Sequence, residues 1–215
     1  MHYDVDGCII ESDLAAKSTS QTNKNMLNII LDLPECYTVL DYGCGKLRYS
    51  IPLAKRVREV VAVDSVVQLD KKQLIDGEYT SVREYKLDNL AVYDLDADEW
   101  KCKKYDAVLC INVFSAVPSL EERKRIVENA YSVLEPDGFF LIVVQYRNSY
   151  FSQYKSRPNT IHYYDGWLIK RKGNKYSFYG MPSEKAVIAL CSEVGFKSFS
   201  VTRNDGSYYI KAFRE

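Results

Sequence analysis

The chain has 215 residues, of which 47% are hydrophobic and 27% are charged, and its acidic and basic side chains are equal in number. This composition is typical of a globular protein and argues against extensive disorder. All apolar runs are shorter than the roughly 18 residues that a membrane-spanning helix needs, which excludes a transmembrane protein. The acidic N-terminal segment lacks the cationic start and apolar block of a secretory signal, so a single cytoplasmic domain over 1–215 is expected.

Metal binding is not expected from the cysteine and histidine pattern. The chain has six cysteines and two histidines. No two cysteines form a C-x-x-C pair, and neither His2 nor His162 stands at zinc-ligand spacing from a cysteine. Without a secretory signal, reduced thiols are the simplest interpretation of the cysteines.

The hydrophobic pattern predicts helices that alternate with buried strands. Residues 1–20 look irregular. The next elements are predicted as helix 22–33, strand 37–41, helix 47–57, strand 60–63, helix 65–74, strand 90–93 and strand 106–111. The later elements are predicted as a helix that begins after Ser119, strand 139–145, a hairpin over 167–178 that turns at Gly173, a helix from Pro182 to Gly195, and strands 196–202 and 207–213.

This order of elements is typical of a doubly wound α/β fold. Near-continuous apolar strands that alternate with helices indicate a mostly parallel sheet of seven strands with helices on both faces. The last two strands are joined by a tight turn, so they form an antiparallel pair. Ligands of such sheets bind at the carboxyl ends of the strands.

A glycine turn follows the first buried strand. Gly43 and Gly45 allow a sharp backbone bend that can approach a ligand closely, and Asp64 ends the next strand. An acid at that place suits a bidentate hydrogen bond to ribose hydroxyls. A dinucleotide is a poor fit, because Arg48 occupies the third glycine position and Asp41 would repel a diphosphate. The pattern instead favours a ligand with a cationic end, such as an ammonium or a sulfonium.

These residues resemble the motifs of class I S-adenosylmethionine-dependent methyltransferases. Residues 39–45 (VLDYGCG) resemble the first motif and residues 61–64 (VAVD) the second. Residues 105–118 resemble the fourth-strand motif, and residues 133–142 resemble the helix, turn and strand that follow it. Family members often have a third glycine where Leu47 stands, so its side chain must point into the core or narrow the pocket.

The resemblance implies S-adenosylmethionine as cofactor and a set of positions that bind it. Those positions are Asp41, Gly43, Cys44, Gly45, Asp64, Ser65, Asp94, Leu95, Asn112 and Val113. Asp41 would lie near the methionine ammonium, and Asp64 would hold both ribose hydroxyls. Asp94 would accept from the adenine amino group while the Leu95 amide donates to the ring, although the strand register leaves Asp96 or Asp88 open for the acid.

The fourth-strand motif excludes some acceptors. The prolines and the aromatic residue that adenine-N6 and glutamine methyltransferases carry after this asparagine are missing after Asn112. Cytosine-C5 enzymes need a Pro-Cys nucleophile here, whereas Cys110 lies inside the strand after a leucine and is interpreted as a core thiol. No catalytic group is evident in the motifs, and His162 and Tyr146 are weak candidates for a base.

The segment 146–181 is a basic, aromatic insertion that we expect over the substrate side. It holds seven cations and one acid. Residues 1–36 are expected to form an N-terminal cap and helix, in which 17–21 either cap the helix or cover the cofactor. The insertion suits either a lid over a small metabolite or a nucleic-acid surface built from Arg147, Lys170, Arg171 and Lys172.

Three functions remain open from the sequence. The first is a methyltransferase that acts on an oxygen or nitrogen atom of a small molecule or peptide by in-line displacement. The second is an RNA or DNA methyltransferase that uses the basic insertion. The third is a non-catalytic cofactor-binding subunit of a larger complex.

Overall fold

The structure, a computed structural model, describes residues 2–5, 7–145, 153–154 and 156–215. Its strands are β1 (His2–Val5), β2 (Cys8–Glu11), β3 (Thr38–Tyr42), β4 (Glu59–Asp64), β5 (Gln73–Ile75), β6 (Glu78–Thr80), β7 (Leu90–Asp94), β8 (Tyr105–Ile111), β9 (Leu134–Gln145), β10 (Thr160–Tyr163), β11 (Gly166–Lys170), β12 (Lys175–Gly180), β13 (Ser198–Asn204) and β14 (Ser207–Phe213). Its helices are a 3-10 turn (Ser12–Ala15), α1 (Lys24–Leu31), α2 (Ser50–Ala54), α3 (Val66–Asp70), α4 (Leu120–Val133) and α5 (Glu184–Val194).

The main sheet has seven strands in the order β13-β14-β9-β8-β3-β4-β7. Its five strands from β9 to β7 are parallel, and β14 is antiparallel to both β9 and β13. The doubly wound fold with an antiparallel C-terminal pair is therefore confirmed. The strand order also brings the carboxyl ends of β3, β4, β7 and β8 to one edge of the sheet.

Helices cover both faces of this sheet. On one face, α4 and α5 pack apolar residues such as Ile126 and Leu190 against β8 and β9. On the other face, α1 and α2 contribute Met26 and Leu53 to a second apolar cluster. The predicted start of α4 is confirmed, because the Ser119 hydroxyl accepts a hydrogen bond of 3.2 Å from the Glu122 amide. No helix among the described residues combines the length and the apolar content required to cross a membrane.

Two predicted helices are shorter than expected. The helix predicted over 65–74 ends at Asp70, and β5 and β6 then form a hairpin. Its turn residues Asp76 and Gly77 have φ angles of 46° and 90°, the left-handed geometry that an Asp-Gly turn supplies. The helix predicted over 47–57 begins only at Ser50, because Leu47 has a φ of 61° and cannot belong to an α-helix.

The N-terminal segment was expected to be irregular, but it contains two regular strands. Strands β1 and β2 form a hairpin, and β2 pairs in parallel with β12, so that Ile9 lies opposite Lys175 and Ile10 opposite Tyr176. The result is a second sheet of five strands in the order β1-β2-β12-β11-β10. The predicted N-terminal cap and the described part of the basic insertion are thus one structural layer. The β11–β12 hairpin that was predicted to turn at Gly173 is confirmed.

A buried ion pair fastens this second sheet to α4. The side chain of Arg123 is 3% exposed and binds the carboxylate of Asp165 with both terminal nitrogens. Its Nε donates a hydrogen bond of 2.9 Å to the Val117 carbonyl, which holds the guanidinium in place. The Gly180 amide adds a hydrogen bond of 2.8 Å to the Ser115 carbonyl. The second sheet is therefore tied to the loop that follows β8.

Candidate cofactor and acceptor site

A cleft of about 240 Å³ lies at the carboxyl edge of the main sheet. Its floor contains eight of the ten positions that the family resemblance implied, namely Asp41, Gly43, Cys44, Gly45, Asp64, Leu95, Asn112 and Val113. One wall is the N-terminal segment, through Tyr3, Ser12, Asp13, Ala15, Ala16 and Lys17. The other wall is α4, through Glu122, Arg125, Ile126 and Asn129.

The glycine turn has the geometry that the sequence predicted. Gly43 and Gly45 have φ angles of 75° and 58°, which residues with a Cβ rarely adopt. A Cβ at Gly43 would collide with the Cγ2 atom of Val113, so the two loops at the floor of the cleft touch closely. Leu47 has a φ of 61°, and its side chain is fully buried in the core with Ile51 rather than in the cleft. Leucine in place of glycine at position 47 therefore does not narrow the cleft.

Asp41 is a buried carboxylate at the floor of the cleft. It is 3% exposed, and its Oδ2 accepts a hydrogen bond of 2.6 Å from the Ser50 hydroxyl. Burial raises the pKa of Asp41 to about 6, the Ser50 hydrogen bond opposes that rise, and the nearby Asp64 adds to it. A cation beside Asp41 would reverse the rise, so this position suits a positively charged ligand group.

Backbone amides hold the carboxylate of Asp64. Its Oδ2 accepts a hydrogen bond of 2.8 Å from the Gly45 amide, and its Oδ1 accepts one of 2.7 Å from the Ser65 amide. Burial raises the pKa of Asp64, and these two hydrogen bonds partly offset that effect. The Ser65 hydroxyl also donates to Oδ1 over a longer distance of 3.4 Å. Oδ2 can therefore accept a ligand hydroxyl directly, and Oδ1 can accept one in place of this long contact.

Three further oxygen atoms of the lining are buried and lack a hydrogen-bond partner. They are Asp13 Oδ1, Gln68 Oε1 and Asn112 Oδ1. The Gln68 amide nitrogen is already used, because it donates a hydrogen bond of 2.7 Å to the Gly45 carbonyl. A buried acceptor without a donor is costly, so the lining is complementary to a ligand that carries several N–H or O–H groups. S-adenosylmethionine has such groups in its ammonium, its ribose and its adenine.

The contacts to adenine stay a prediction, and the cleft lining favours one of the three acids that the sequence left open. Asp94 does not line the cleft, and its Oδ1 accepts a hydrogen bond of 3.1 Å from the Asp96 amide. The Leu95 amide is also occupied, because it donates to the Asp64 carbonyl at 3.0 Å. Asp88 precedes β7 and thus lies at the opposite edge of the sheet. Of the three acids, Asp96 is the one in the lining.

Of the two weak catalytic candidates, the structure describes His162, which does not line the cleft. His162 is exposed on β10 and packs edge-on against Trp167, with ring centroids 5.8 Å apart. Tyr146 and Arg147 lie outside the described residues. Cys110 is fully buried in β8, and burial raises the pKa of its thiol far above the usual value, which confirms the interpretation as a core thiol. Ser65 follows Asp64 but is absent from the lining.

Three of the basic residues of the insertion lie at one end of the second sheet. Lys170, Arg171 and Lys172 are exposed where β11 turns into β12. The Arg171 Nε donates a hydrogen bond of 2.9 Å to the Ser177 hydroxyl. None of the three lines the cleft. No group of three or more His, Cys, Asp or Glu residues that could hold a metal ion occurs in the part of the chain that the structure describes.

The sequence predicted little of the two walls of the cleft: Lys17, from the segment 17–21 that was left open as a cover for the cofactor, lines the N-terminal wall, whereas the α4 wall was not predicted. On α4, the lining residues Glu122, Arg125, Ile126 and Asn129 recur at helical spacing, and this signal could have identified one wall. The N-terminal wall has no comparable local signal, because Tyr3 and Asp13 reach the cleft only after β2 pairs with β12.

Comparison with known proteins identifies the class of protein. Residues 40–140 match the family model described as a methyltransferase domain. The uncharacterized protein YmfD of Escherichia coli K12 is 34% identical over 215 residues, an alignment that covers 98% of this chain and 95% of that protein. The chain therefore belongs to the same family as YmfD, its residues 40–140 form a methyltransferase domain, and its fold is that of S-adenosylmethionine-dependent methyltransferases.

Two further similarities concern the fold and part of the chain. The structure of an S-adenosylmethionine-dependent methyltransferase of Methanosarcina mazei superposes with a TM-score of 0.62 at 19% identity, covering 90% of this chain and 98% of that one. The 23S rRNA (uracil(1939)-C(5))-methyltransferase RlmD of Alcanivorax borkumensis is 29% identical over 99 residues. That match covers 42% of this chain and 21% of RlmD, so it concerns about a fifth of that protein.

Proposed function

We propose that the protein transfers the methyl group of S-adenosylmethionine to an oxygen or nitrogen atom of a small molecule or peptide. The observation that carries this proposal is the character of the cleft. Its buried carboxylates and unpartnered oxygens suit a cationic nucleoside with many donors, and the N-terminal segment forms a wall over it. A covered cleft favours an acceptor that can enter it whole or as a side chain.

The residues on the floor of the cleft bind and orient the cofactor in this proposal. Asp41 and the Oδ1 of Asn112 face the methionine ammonium, and Asp64 receives both ribose hydroxyls. Asp96 accepts from the adenine amino group. The bound cofactor supplies an activated methyl group on a sulfonium, so the protein chiefly aligns the acceptor with it and excludes water.

The wall residues complete the acceptor side. Tyr3 and Ser12 approach from the N-terminal segment, and Glu122 and Arg125 approach from α4. Two ion pairs of the segment, Lys175 with Glu11 at 2.6 Å and Lys71 with Asp13 at 2.9 Å, keep it against the cleft.

Calorimetry and labelled-methyl transfer test the proposal. Purified protein is titrated with S-adenosylhomocysteine and separately with NAD, and only the former is expected to bind. The protein is then given S-adenosylmethionine with a labelled methyl group and a cell extract divided into RNA, DNA, protein and small molecules. Label in the small-molecule or protein fraction supports the proposal, whereas label only in nucleic acid, or none at all, overturns it.

A nucleic-acid acceptor is a second candidate, supported by the exposed cations Lys170, Arg171 and Lys172. RlmD is by its name an rRNA methyltransferase, but its similarity is limited to part of this chain. An acceptor bound through phosphates would dissociate steeply as salt concentration rises. A charge-reversing triple variant, K170E/R171E/K172E, would then lose methylation of RNA or DNA, whereas the small-acceptor proposal expects its turnover to stay unchanged.

A further inference from the structure

A second cavity opens next to the cofactor cleft. It lies between the start of α4 and the second sheet, and its lining includes Tyr3, Pro118, Leu120, Glu122, Tyr163 and Tyr164. Tyr3 and Glu122 line both cavities. These two side chains therefore stand at the boundary between the two cavities, here named the neck, and the second cavity is here named the acceptor groove.

Tyr164 forms a rigid wall of the acceptor groove. It occupies the turn between β10 and β11 with a φ of 49°, a left-handed conformation that is uncommon for a residue with a large side chain. The next residue, Asp165, is bound by the buried Arg123 of α4. Arg123 directly follows Glu122, and Asp165 directly follows Tyr164. The Arg123–Asp165 ion pair therefore holds both Tyr164 in the wall of the groove and Glu122 at the neck.

Apolar and aromatic surface faces the groove from both sides. Tyr164 is 60% exposed and Leu120 is 53% exposed, although both are large hydrophobic residues. Tyr163 packs edge-on against Phe178, with ring centroids 6.3 Å apart, so its ring is supported from behind. The two tyrosine rings and the exposed leucine suit a planar aromatic ligand that stacks between them.

A single carboxylate stands at the neck. The Oε2 of Glu122 accepts a hydrogen bond of 2.6 Å from the Arg125 guanidinium, which orients the side chain. Among the described residues that line both cavities, Glu122 is the one whose ordinary chemistry is to accept a proton. Oxygen nucleophiles need such a group, since a hydroxyl must lose its proton as it becomes an ether.

We propose that the acceptor groove binds an aromatic molecule with a hydroxyl group and that Glu122 is the general base of its O-methylation. This inference rests on the proposed function. The hydroxyl oxygen forms a bond to the methyl carbon as the carbon–sulfur bond breaks, and that electron pair stays on sulfur, which becomes a neutral thioether. The hydroxyl proton passes to the Glu122 carboxylate and then to water in the groove.

Binding of aromatic probes tests the groove without knowledge of the natural acceptor. Crystals of the complex with S-adenosylhomocysteine are soaked with 7-hydroxycoumarin and with 2-naphthol. We expect a ring between Tyr164 and Leu120, with the hydroxyl oxygen within hydrogen-bond distance of Glu122. Binding elsewhere, absence of binding, or binding at crystal concentration only would overturn the assignment of the groove.

A matched pair of variants tests the groove in solution. Tyr164→Ala is expected to weaken binding of 7-hydroxycoumarin about fivefold, the scale of one lost aromatic contact. Tyr79→Ala is the control, because Tyr79 is 77% exposed on β6 and lines neither cavity. Equal dissociation constants for the two variants would overturn the proposal.

A second matched pair tests the base. Glu122→Gln is expected to lower kcat for methylation of 7-hydroxycoumarin about 100-fold or more, with KM nearly unchanged. Glu121→Gln is the control, because Glu121 is exposed on α4 outside both cavities. Partial rescue of kcat by Glu122→Asp is expected, and a Glu122→Gln kcat equal to that of the control would overturn the assignment of the base.

The two proposals fail in different ways. Binding of S-adenosylhomocysteine without label in any small-molecule or protein fraction contradicts the proposed function. Label in that fraction, together with no transfer to either aromatic probe, contradicts the acceptor groove alone.

Discussion

The amide of Gly45 donates a hydrogen bond of 2.8 Å to the carboxylate of Asp64. This bond joins the glycine turn after β3 to the end of β4, so the two halves of the proposed ribose site hold each other in place. The glycine turn thus positions an acid as well as leaving space for a ligand. A change in the conformation of the glycine turn should therefore lower both the stability of the protein and the affinity of the protein for the cofactor.

Gly43→Ala should destabilise the protein because its Cβ collides with Val113. We expect a loss of about 1–3 kcal/mol in the free energy of unfolding from overpacking, beyond the cost of the positive φ. Gly7→Ala isolates that second cost, since Gly7 has a φ of 78° and no atom lies within 4 Å of its Cβ position. Urea denaturation measures both variants. Equal losses would contradict the collision, and the double variant G43A/V113A should recover part of the difference.

The affinity for S-adenosylmethionine should rise with pH through the titration of Asp41, whose pKa is about 6. Below that pH the side chain is neutral, and above it the carboxylate attracts the cationic ligand. Calorimetric titrations from pH 5 to pH 7.5 should show this rise, and Asp41→Asn should abolish it. A pH dependence that persists in the variant would assign the effect to another group.

The same pKa has the opposite effect on the free protein. Because the folded value of about 6 lies above the ordinary value of 3.8, the native state binds the proton more tightly than the unfolded state does. The contribution of Asp41 to stability is therefore lost as the pH rises from about 4 to about 6. Bound cofactor should remove this loss, since it favours the charged carboxylate.

Asp96→Asn should weaken binding of S-adenosylhomocysteine about tenfold, the scale of one lost charge-assisted hydrogen bond. Asp94→Asn should have the smaller effect on affinity, because the Asp94 side chain accepts from the Asp96 amide and lies outside the cleft lining. Calorimetry on both variants decides between the two acids. A larger loss for Asp94→Asn, with stability retained, would restore the assignment that the sequence motif suggested.

Arg123→Met should destabilise the protein by about 3–5 kcal/mol, because it leaves Asp165 without its buried partner. Asp165→Asn should cost less than Arg123→Met, since an amide can still accept from the guanidinium. Thermal or urea unfolding gives both values. Arg203→Met serves as a surface control, because the side chain of Arg203 is 63% exposed in its ion pair with Glu184. A loss for Arg123→Met no larger than the control's would contradict the role of the buried pair.

The sequence predicts the main sheet well because its signals are local. The buried strands from Thr38 to Gln145 are short apolar runs, and the cap at Ser119 lies three residues from its partner. The second sheet depends on pairing between Ile10 and Tyr176, which are far apart in the chain, so no window of sequence contains its signal. The helix predicted through Gln73 failed because the Asp-Gly turn that follows favours a hairpin.

The candidate site divides in the same way. The floor of the cleft comes from residues next to strand ends, and a motif of strand, glycine turn and acid is enough to predict it. The walls come from Tyr3 and from one face of α4, which approach the floor only in the folded chain. The Leu95 amide was expected to contact the adenine. In the structure this amide donates a hydrogen bond to the Asp64 carbonyl, which continues the pairing of β7 with β4 by one residue.

The affinity of Asp64→Ala for S-adenosylhomocysteine tests the central claim most directly, with Asp70→Ala, an exposed acid on α3, as the matched control. We expect Asp64→Ala to lose about 1.5–3 kcal/mol of binding free energy in calorimetry, because two charge-assisted hydrogen bonds to ribose disappear. Asp70→Ala should bind as the unaltered protein does. A folded Asp64→Ala variant with unchanged affinity would contradict the claim that Asp64 binds the ribose hydroxyls of the cofactor.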